Sequence, residues 1–573
     1  MGNRYGLACA FAAALAAGCA TLPAPAPEVA SLEARAAAVL KRRGPGAGSL
    51  SQIDEALEGR LSPPYTPALA RDLLARPAAA ADAAAIFAQA VPPELARLAG
   101  SPPAPPANGA AADIRELLDP YLRELAEAQA ALRAAMRGAP IDDAHVLPSL
   151  REQFPSSEWL GPLAQAVDAD ALRRANALFI GATLRFAAAL RAHAGHMRFP
   201  EQPESFVAEV GIVHIGGMGD DEHGPDAAVI VDPGGNDRYR RAPAVGGAVS
   251  VIFDLGGNDR YSGSDLALDG FSAIVDLAGD DEYRMEGPGI GAAIGGASLV
   301  LDLAGNDLYE ADLFGIGAGA LGLGAVIDLA GDDRYRVRAG GEGLGILGGV
   351  GLLWDRAGND RYSAGGLPDL YDRGGGVSMA QGAGYGLRPH YGGGIGLLRD
   401  DAGDDVYEAQ MFAQGVAYWY AAGLLWDRAG NDTYRAVRYA QGNGVHLAAG
   451  TLRDESGDDR YELTVGVGQG MGLDLAVGVL YDGAGNDEYR GPNLVQGSAT
   501  DNGVGILFDA GGRDRWLADL PQGGWGSAAP SRGRPSIGLL LYEPANASFE
   551  RSGKRETPPP DAPALGGPWG KRN

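Results

Sequence analysis

Between about residues 205 and 517 the chain alternates short apolar runs with one recurring polar phrase. Ser250–Phe253, Ser298–Leu301, Gly324–Ile327, Ala422–Trp426 and Gly478–Tyr481 are such runs. Each ends at an aspartate, passes through a turn of the type Asp-x-Ala-Gly-Asn-Asp and resumes as a second run containing a tyrosine. This punctuation predicts a buried strand, a tight turn and a second strand. From about residue 28 to 200 the apolar spacing is helical instead. Leu117, Leu118, Tyr121, Leu122, Leu125, Leu132 and Met136 predict one long amphipathic helix, and Leu172, Ala175, Leu178, Phe179, Leu184 and Phe186 a second, from about Asp168 to His193. The predicted fold class is α+β multidomain: an N-terminal all-α bundle over 28–200, then a parallel β-solenoid of about eleven coils over 201–517. Residues 518–573 are expected to form a C-terminal cap and disordered tail.

The solenoid follows from the period. Marker aspartates recur in eleven copies at steps of 22 to 28 residues, with one step of 45 between Asp355 and Asp400. A repeat of about 27 residues is too short for a propeller blade and suits one coil of a β-solenoid, rising about 4.8 Å per coil. The third residue after each marker is glycine, where a positive φ is cheap. The fifth is aspartate, and the seventh is tyrosine until Trp516 takes its place in the last copy. Later copies add a Gln-Gly pair at Gln381, Gln414, Gln441, Gln469 and Gln496. Glycine-rich faces such as 315–320 predict a narrow coil. The helical region is expected to cap the first coil, and Trp516 with Ile537–Tyr542 the last. Residues 206–214 read as one strand. The 216–224 loop, with Asp220, Asp221, Glu222 and His223, reads either as a degenerate opening coil or as a separate metal or catalytic site.

Net charge is −26, which argues against a nucleic-acid partner. The first eighteen residues, with a short charged start and an apolar stretch too short to span, read as a signal peptide. Leu15-Ala16-Ala17-Gly18-Cys19 resembles a bacterial lipobox, with Ala16 where leucine is usual. The resemblance implies lipidation of Cys19, a membrane partner through that anchor, and an outer-membrane location in the cell envelope. Residues 19–27 would be the tether. The other cysteine, Cys9, lies in the signal, so no disulfide frame is expected.

Each turn carries two carboxylates: Asp232 and Asp237, Asp254 and Asp259, Asp276 and Asp281, Asp302 and Asp307, Asp328 and Asp333, Asp355 and Asp360, Asp400 and Asp405, Asp427 and Asp432, Asp454 and Asp459, and Asp482 and Asp487. Stacked like charges about 4.8 Å apart repel by about 3 to 4 kcal/mol at an effective dielectric near 20. Calcium, an oxygen-seeking ion, would offset this, and the lack of recurring sulfur or imidazole disfavours zinc and copper. Arginine at the sixth position, Arg238, Arg260, Arg334, Arg361, Arg460 and Arg515, is the competing means of neutralisation. Gly305-Asn306-Asp307-Leu308-Tyr309 and its equivalents resemble the second half of the haemolysin-type repeat of RTX proteins. That resemblance implies calcium between the turns of a parallel β-roll, with Asp307 and its equivalents as ligands.

The expected function is a calcium-binding structural module that also takes a glycan or protein ligand. The alternative is a polysaccharide-active β-helix enzyme, lyase or hydrolase, with Asp369, Tyr371, Asp372, Arg388, His390 and Tyr391 in the long step as its loop. A simple inserted loop or a failed extra coil explains that step equally well. His193 and His196, three apart, are a metal pair or a solvated helix end.

Overall fold

The computed structural model describes residues 67–90, 112–137, 160–369, 373–518, 524–529, 535–542 and 547–557, with a few single positions before 160. The signal, Cys19 and its tether, Tyr371, Asp372 and the chain after 557 lie outside the described residues. The chain forms two compact units, one built on residues 88–337 and one on 338–573 together with 20–87.

In the first unit the apolar runs stack as a parallel marker sheet: Val229–Asp232, Val249–Asp254, Phe271–Asp276 and Ala297–Asp302 pair in register, aspartate opposite aspartate. A second parallel sheet carries the tyrosines, Tyr239 opposite Tyr261 opposite Tyr283 opposite Tyr309. A third, of strands two or three residues long, closes each coil: Ala244–Val245, Leu266–Leu268, Ala292–Ile294 and Gly319–Ala320. These long parallel ladders are those of a β-solenoid. The second unit repeats the arrangement, with Asp427, Asp454, Asp482 and Asp509 in one register and Tyr434, Tyr461, Tyr489 and Trp516 in another.

Both faces of the marker sheet are buried. One faces the coil interior; the other is covered by the helical segments, so these form no separate bundle and lie along the sheet, not over the first coil. The helices are where their periodicity puts them, Ile114–Ala135 and Ala169–Ala192, capped by the side chains of Asp113 and Asp168. Phe179 stacks on Phe271 at 4.5 Å, Tyr121 and Phe186 pack edge-on to Phe253, and Asn176 and Gln129 donate to the carbonyls of Gly296 and Gly247. In the second unit the outward residue before the marker alternates aromatic with arginine from Trp354 to Tyr481, and Phe508 follows. Arg399 lies 4.7 Å from Trp354, 4.5 Å from Trp426 and 4.7 Å from Phe87, while Arg453 donates to the carbonyl of Ala81, the last residue of the Pro77–Ala81 turn of helix. Apolar and cationic residues on this face therefore recruit the N-terminal segments as cover. Among the described residues no helix is long and apolar enough to cross a membrane.

Three further expectations differ from what is observed. Residues 206–214 are not one strand but an antiparallel hairpin, Glu204–Ala208 with Gly211–Ile215. Its second strand pairs in parallel with 229–231, so a coil precedes Asp232. At the other end Ile537–Leu541 and Ser548–Arg551 continue the marker and tyrosine sheets past Trp516. Phe549 takes the aromatic position there, and Lys554–Glu556 folds back on it as a hairpin. The chain just after Ser548 is thus ordered by ladder bonds its charged composition does not disclose.

The 45-residue step is two insertions. Gln381 follows Tyr362 by 19 residues where Gln414 follows Tyr407 by 7, and Asp400 follows Gln381 by 19 where Asp427 follows Gln414 by 13. The first insertion is tied by mutual Leu367–Val377 backbone bonds and the second by a turn from Leu387 to Tyr391.

Candidate metal centre

Every predicted ligand aspartate, from Asp232 and Asp237 to Asp482 and Asp487, is at most 2% exposed, as are Asp509 and Asp514 at the far end. Strand alternation explains this: the fifth and seventh positions point into the coil and the sixth points out. The sixth-position arginines therefore point outward and pair with glutamates, mostly of neighbouring coils: Arg260 with Glu282, Arg361 with Glu408, Arg460 with Glu488 and with Glu462 of its own strand, Arg515 with Glu488. Arginine cannot neutralise the aspartate column, because it lies on the other side of the sheet.

The column has its own donors. One oxygen of the marker carboxylate caps the turn in every coil of the described ladder but that of Asp482, accepting from the amide two residues on, as Asp276 does from Ala278 at 3.1 Å. The other accepts from the tyrosine hydroxyl of the preceding coil: Tyr261 to Asp276 at 2.7 Å, Tyr283 to Asp302 at 2.6 Å, Tyr407 to Asp427 at 2.7 Å. The tyrosines thus do more than pack. Their rings stack at 4.7 to 4.9 Å, and their hydroxyls link successive coils up to Tyr461 with Asp482, while the Tyr489 hydroxyl is buried without a partner. The constant seven-residue offset from the marker, with a phenol in every copy but the last where phenylalanine would pack as well, is the signal in the sequence for this role.

The fifth-position aspartate uses one oxygen to accept the backbone N–H of its equivalent one coil earlier, Asp259 to Asp281 and Asp281 to Asp307 both at 2.6 Å. The second oxygen of Asp237, Asp259, Asp281, Asp307 and Asp487 is buried without a hydrogen-bond partner. The second oxygens of Asp405, Asp432, Asp459 and Asp514 are likewise buried without one. Carboxylates packed this closely need a proton or a cation among them. Burial, reinforced by neighbouring aspartates, raises these groups: Asp259 and Asp487 to about 7, Asp281 and Asp307 to about 8, and Asp276 and Asp302 well above the usual range.

In the first unit the fifth aspartates Asp237, Asp259, Asp281 and Asp307 each form a triad with the marker of their own coil and that of the next. In Asp276, Asp281 and Asp302 one oxygen from each lies within 4.8 Å of the others. Such a triad could hold a metal ion: it brings together three carboxylate oxygens, one from each residue, and each marker is shared with the triad of the neighbouring coil. Five of the six carboxylate oxygens of the Asp276, Asp281 and Asp302 triad already accept one hydrogen bond, and each keeps a second lone pair. Two carboxylates per coil also match one divalent charge per coil.

The turn glycine serves a purpose other than a positive φ. Gly279 does not have one; a Cβ there would lie 1.8 Å from the carbonyl oxygen of Gly257, its equivalent one coil earlier, and at Gly305 1.6 Å from that of Gly279. The absence of a side chain is what lets coils stack. The Gln-Gly corners form a further ladder: Gln414 Nε2 donates to the carbonyls of Tyr407 and Arg435, both at 3.1 Å, and a Cβ on Gly415 would meet the carbonyl of Thr451 at 1.8 Å. The coil is narrow at that corner.

The candidate loop residues are engaged separately. Asp369 is paired with Arg373, whereas Arg388 contacts His446 Nε2 at 3.0 Å and lies over Trp419. His390 is exposed beside Tyr391. The His193 ring bonds the Ala189 carbonyl at 2.8 Å as a helix terminus and His196 is exposed. An open groove of about 420 Å³ runs along the outside of the second unit's tyrosine sheet, lined by Ser363, Glu408, Gln410, Arg435 and Thr464 among others. No protein-family model matches the chain, and no curated protein or solved structure is significantly similar to it.

Proposed function

We propose that this protein is a lipid-anchored scaffold of the cell envelope whose β-solenoid takes up calcium along its aspartate column. The observation that carries the calcium reading is the buried, donorless second oxygen of the fifth-position aspartates, set in all-oxygen triads from which arginine is excluded. Calcium would supply cross-links between successive coils, stiffening the rod and tying its folding to the ion. The anchor rests on Cys19 and the lipobox-like stretch before it. The open groove beside Glu408 and Arg435 is the flank on which a glycan or protein ligand would lie. Among the described residues of the loop, Asp369, Arg388 and His390 are engaged separately.

The test is calorimetry of metal-free protein at pH 8, first with millimolar calcium and then with excess chelator. A rise of several degrees in Tm that the chelator reverses supports the reading; an unmoved transition rejects it.

A further inference from the structure

The coil that precedes Asp232 departs from the others at two positions. Register places Gly216 where the later coils have the marker aspartate and His223 where they have tyrosine. Gly219, Asp220, Asp221 and Glu222 keep the repeat order between them. His223 stacks on Tyr239 at 4.8 Å, and its Nε2 lies 2.8 Å from Asp232 Oδ2, the oxygen that in later coils takes a tyrosine hydroxyl. The space of the missing marker side chain is taken by that same oxygen: a Cβ on Gly216 would sit 2.0 Å from it and 3.3 Å from the His223 ring.

We infer that this opening coil holds a zinc-type divalent ion between His223, Asp232 and Asp221, a site chemically distinct from the calcium column. Ligand atoms of the three residues lie within 4.8 Å of one another. Asp232 is wholly buried and His223 nearly so. A second imidazole stands beside them. The His214 ring centre is 5.3 Å from that of His223. Ser205 Oγ holds His214 Nδ1 at 2.9 Å, so the ring stands beside the three-residue group with its Nε2 free of that bond, and would complete the ligand set by turning toward a bound ion. Two imidazoles and two carboxylates are a tetrahedral zinc set, and nitrogen donors favour zinc over calcium. The later coils have tyrosine, and at the end Trp516 and Phe549, at this position and offer no ligand nitrogen.

Metal-free full-length protein titrated with Co²⁺ should develop the visible band of a four-coordinate site at one equivalent, displaced by Zn²⁺ and not by Ca²⁺. His223→Tyr installs the repeat's own residue and preserves a donor to Asp232, so the variant should fold and melt close to the parent yet lose the band. His214→Ala, outside the aromatic stack, should weaken Zn²⁺ binding at least tenfold. Absence of the band in the parent, or equal Co²⁺ affinity in both variants, overturns the assignment. Failure of the calcium reading leaves this result untouched, because the titration contains no calcium dependence.

Discussion

Asp281→Asn separates the two ways of neutralising the column. Asp281 is raised from the ordinary 3.8 to about 8, first by burial and then by the charges of Asp307 and Asp259, against the lowering effect of the amide bond it accepts. A carboxyl raised in the folded state contributes stability that is complete below its unfolded pKa near 4 and is lost as pH climbs through 8, since the folded chain holds a proton the unfolded chain has released. About four units at 1.36 kcal/mol each sets this loss on the order of 5 kcal/mol for one such group. For a unit of about 250 residues that corresponds to roughly 10 °C or more in Tm. Asparagine keeps the oxygen that accepts the Asp259 amide and places an NH₂ where the donorless oxygen stood. In metal-free protein the variant should therefore match the parent near pH 4.5 and melt well above it at pH 8. In calcium it should lose part of the ion-induced rise, having one anionic ligand fewer. Differential scanning calorimetry at the two pH values, with and without calcium, reads all four states. A variant that melts below the parent at pH 8 in the absence of metal would show that the second oxygen is ionised and satisfied, and the reasoning would fail.

Gly279→Ala should destabilise by more than about 3 kcal/mol, the cost of forcing a buried overlap, because its Cβ meets the Gly257 carbonyl; Gly219→Ala, at the same repeat position but with open space around it, should be near neutral in urea titration. Tyr283→Phe removes the donor to the buried Asp302 and should cost about 1–3 kcal/mol, read from the same titration. Glu342 is fully buried and held up to about 8 by burial. It occupies the place of the ladder glutamines, 14 residues after its marker like Gln414, so Glu342→Gln should be neutral near pH 4.5 and stabilising at pH 8 in thermal melts.

Much of this architecture is legible in residue order because a parallel solenoid turns sequence period directly into spatial register. The marker aspartates, the tyrosines and the glutamines each stack on their own kind, and the two long helices lie within a residue or two of their apolar spacing. Even the opening coil is written in Gly216 to His223, although only the pairing of Gly211–Ile215 with 229–231 distinguishes a coil from a loop. What residue order does not contain is the neighbour across 4.8 Å. Gly279 looks like a turn residue until the carbonyl of Gly257 is placed beside it. The sixth-position arginines look like counter-ions until strand alternation turns them away from Asp276 and Asp281. The Ile114–Ala135 and Ala169–Ala192 helices look like a bundle until the outward face of the marker sheet, with Phe253 and Phe271, is seen to need cover. Local periodicity decides which residues share a face, since side-chain direction follows from backbone geometry alone. Which faces meet depends on burying apolar surface between segments far apart in the chain, and that is settled only in three dimensions.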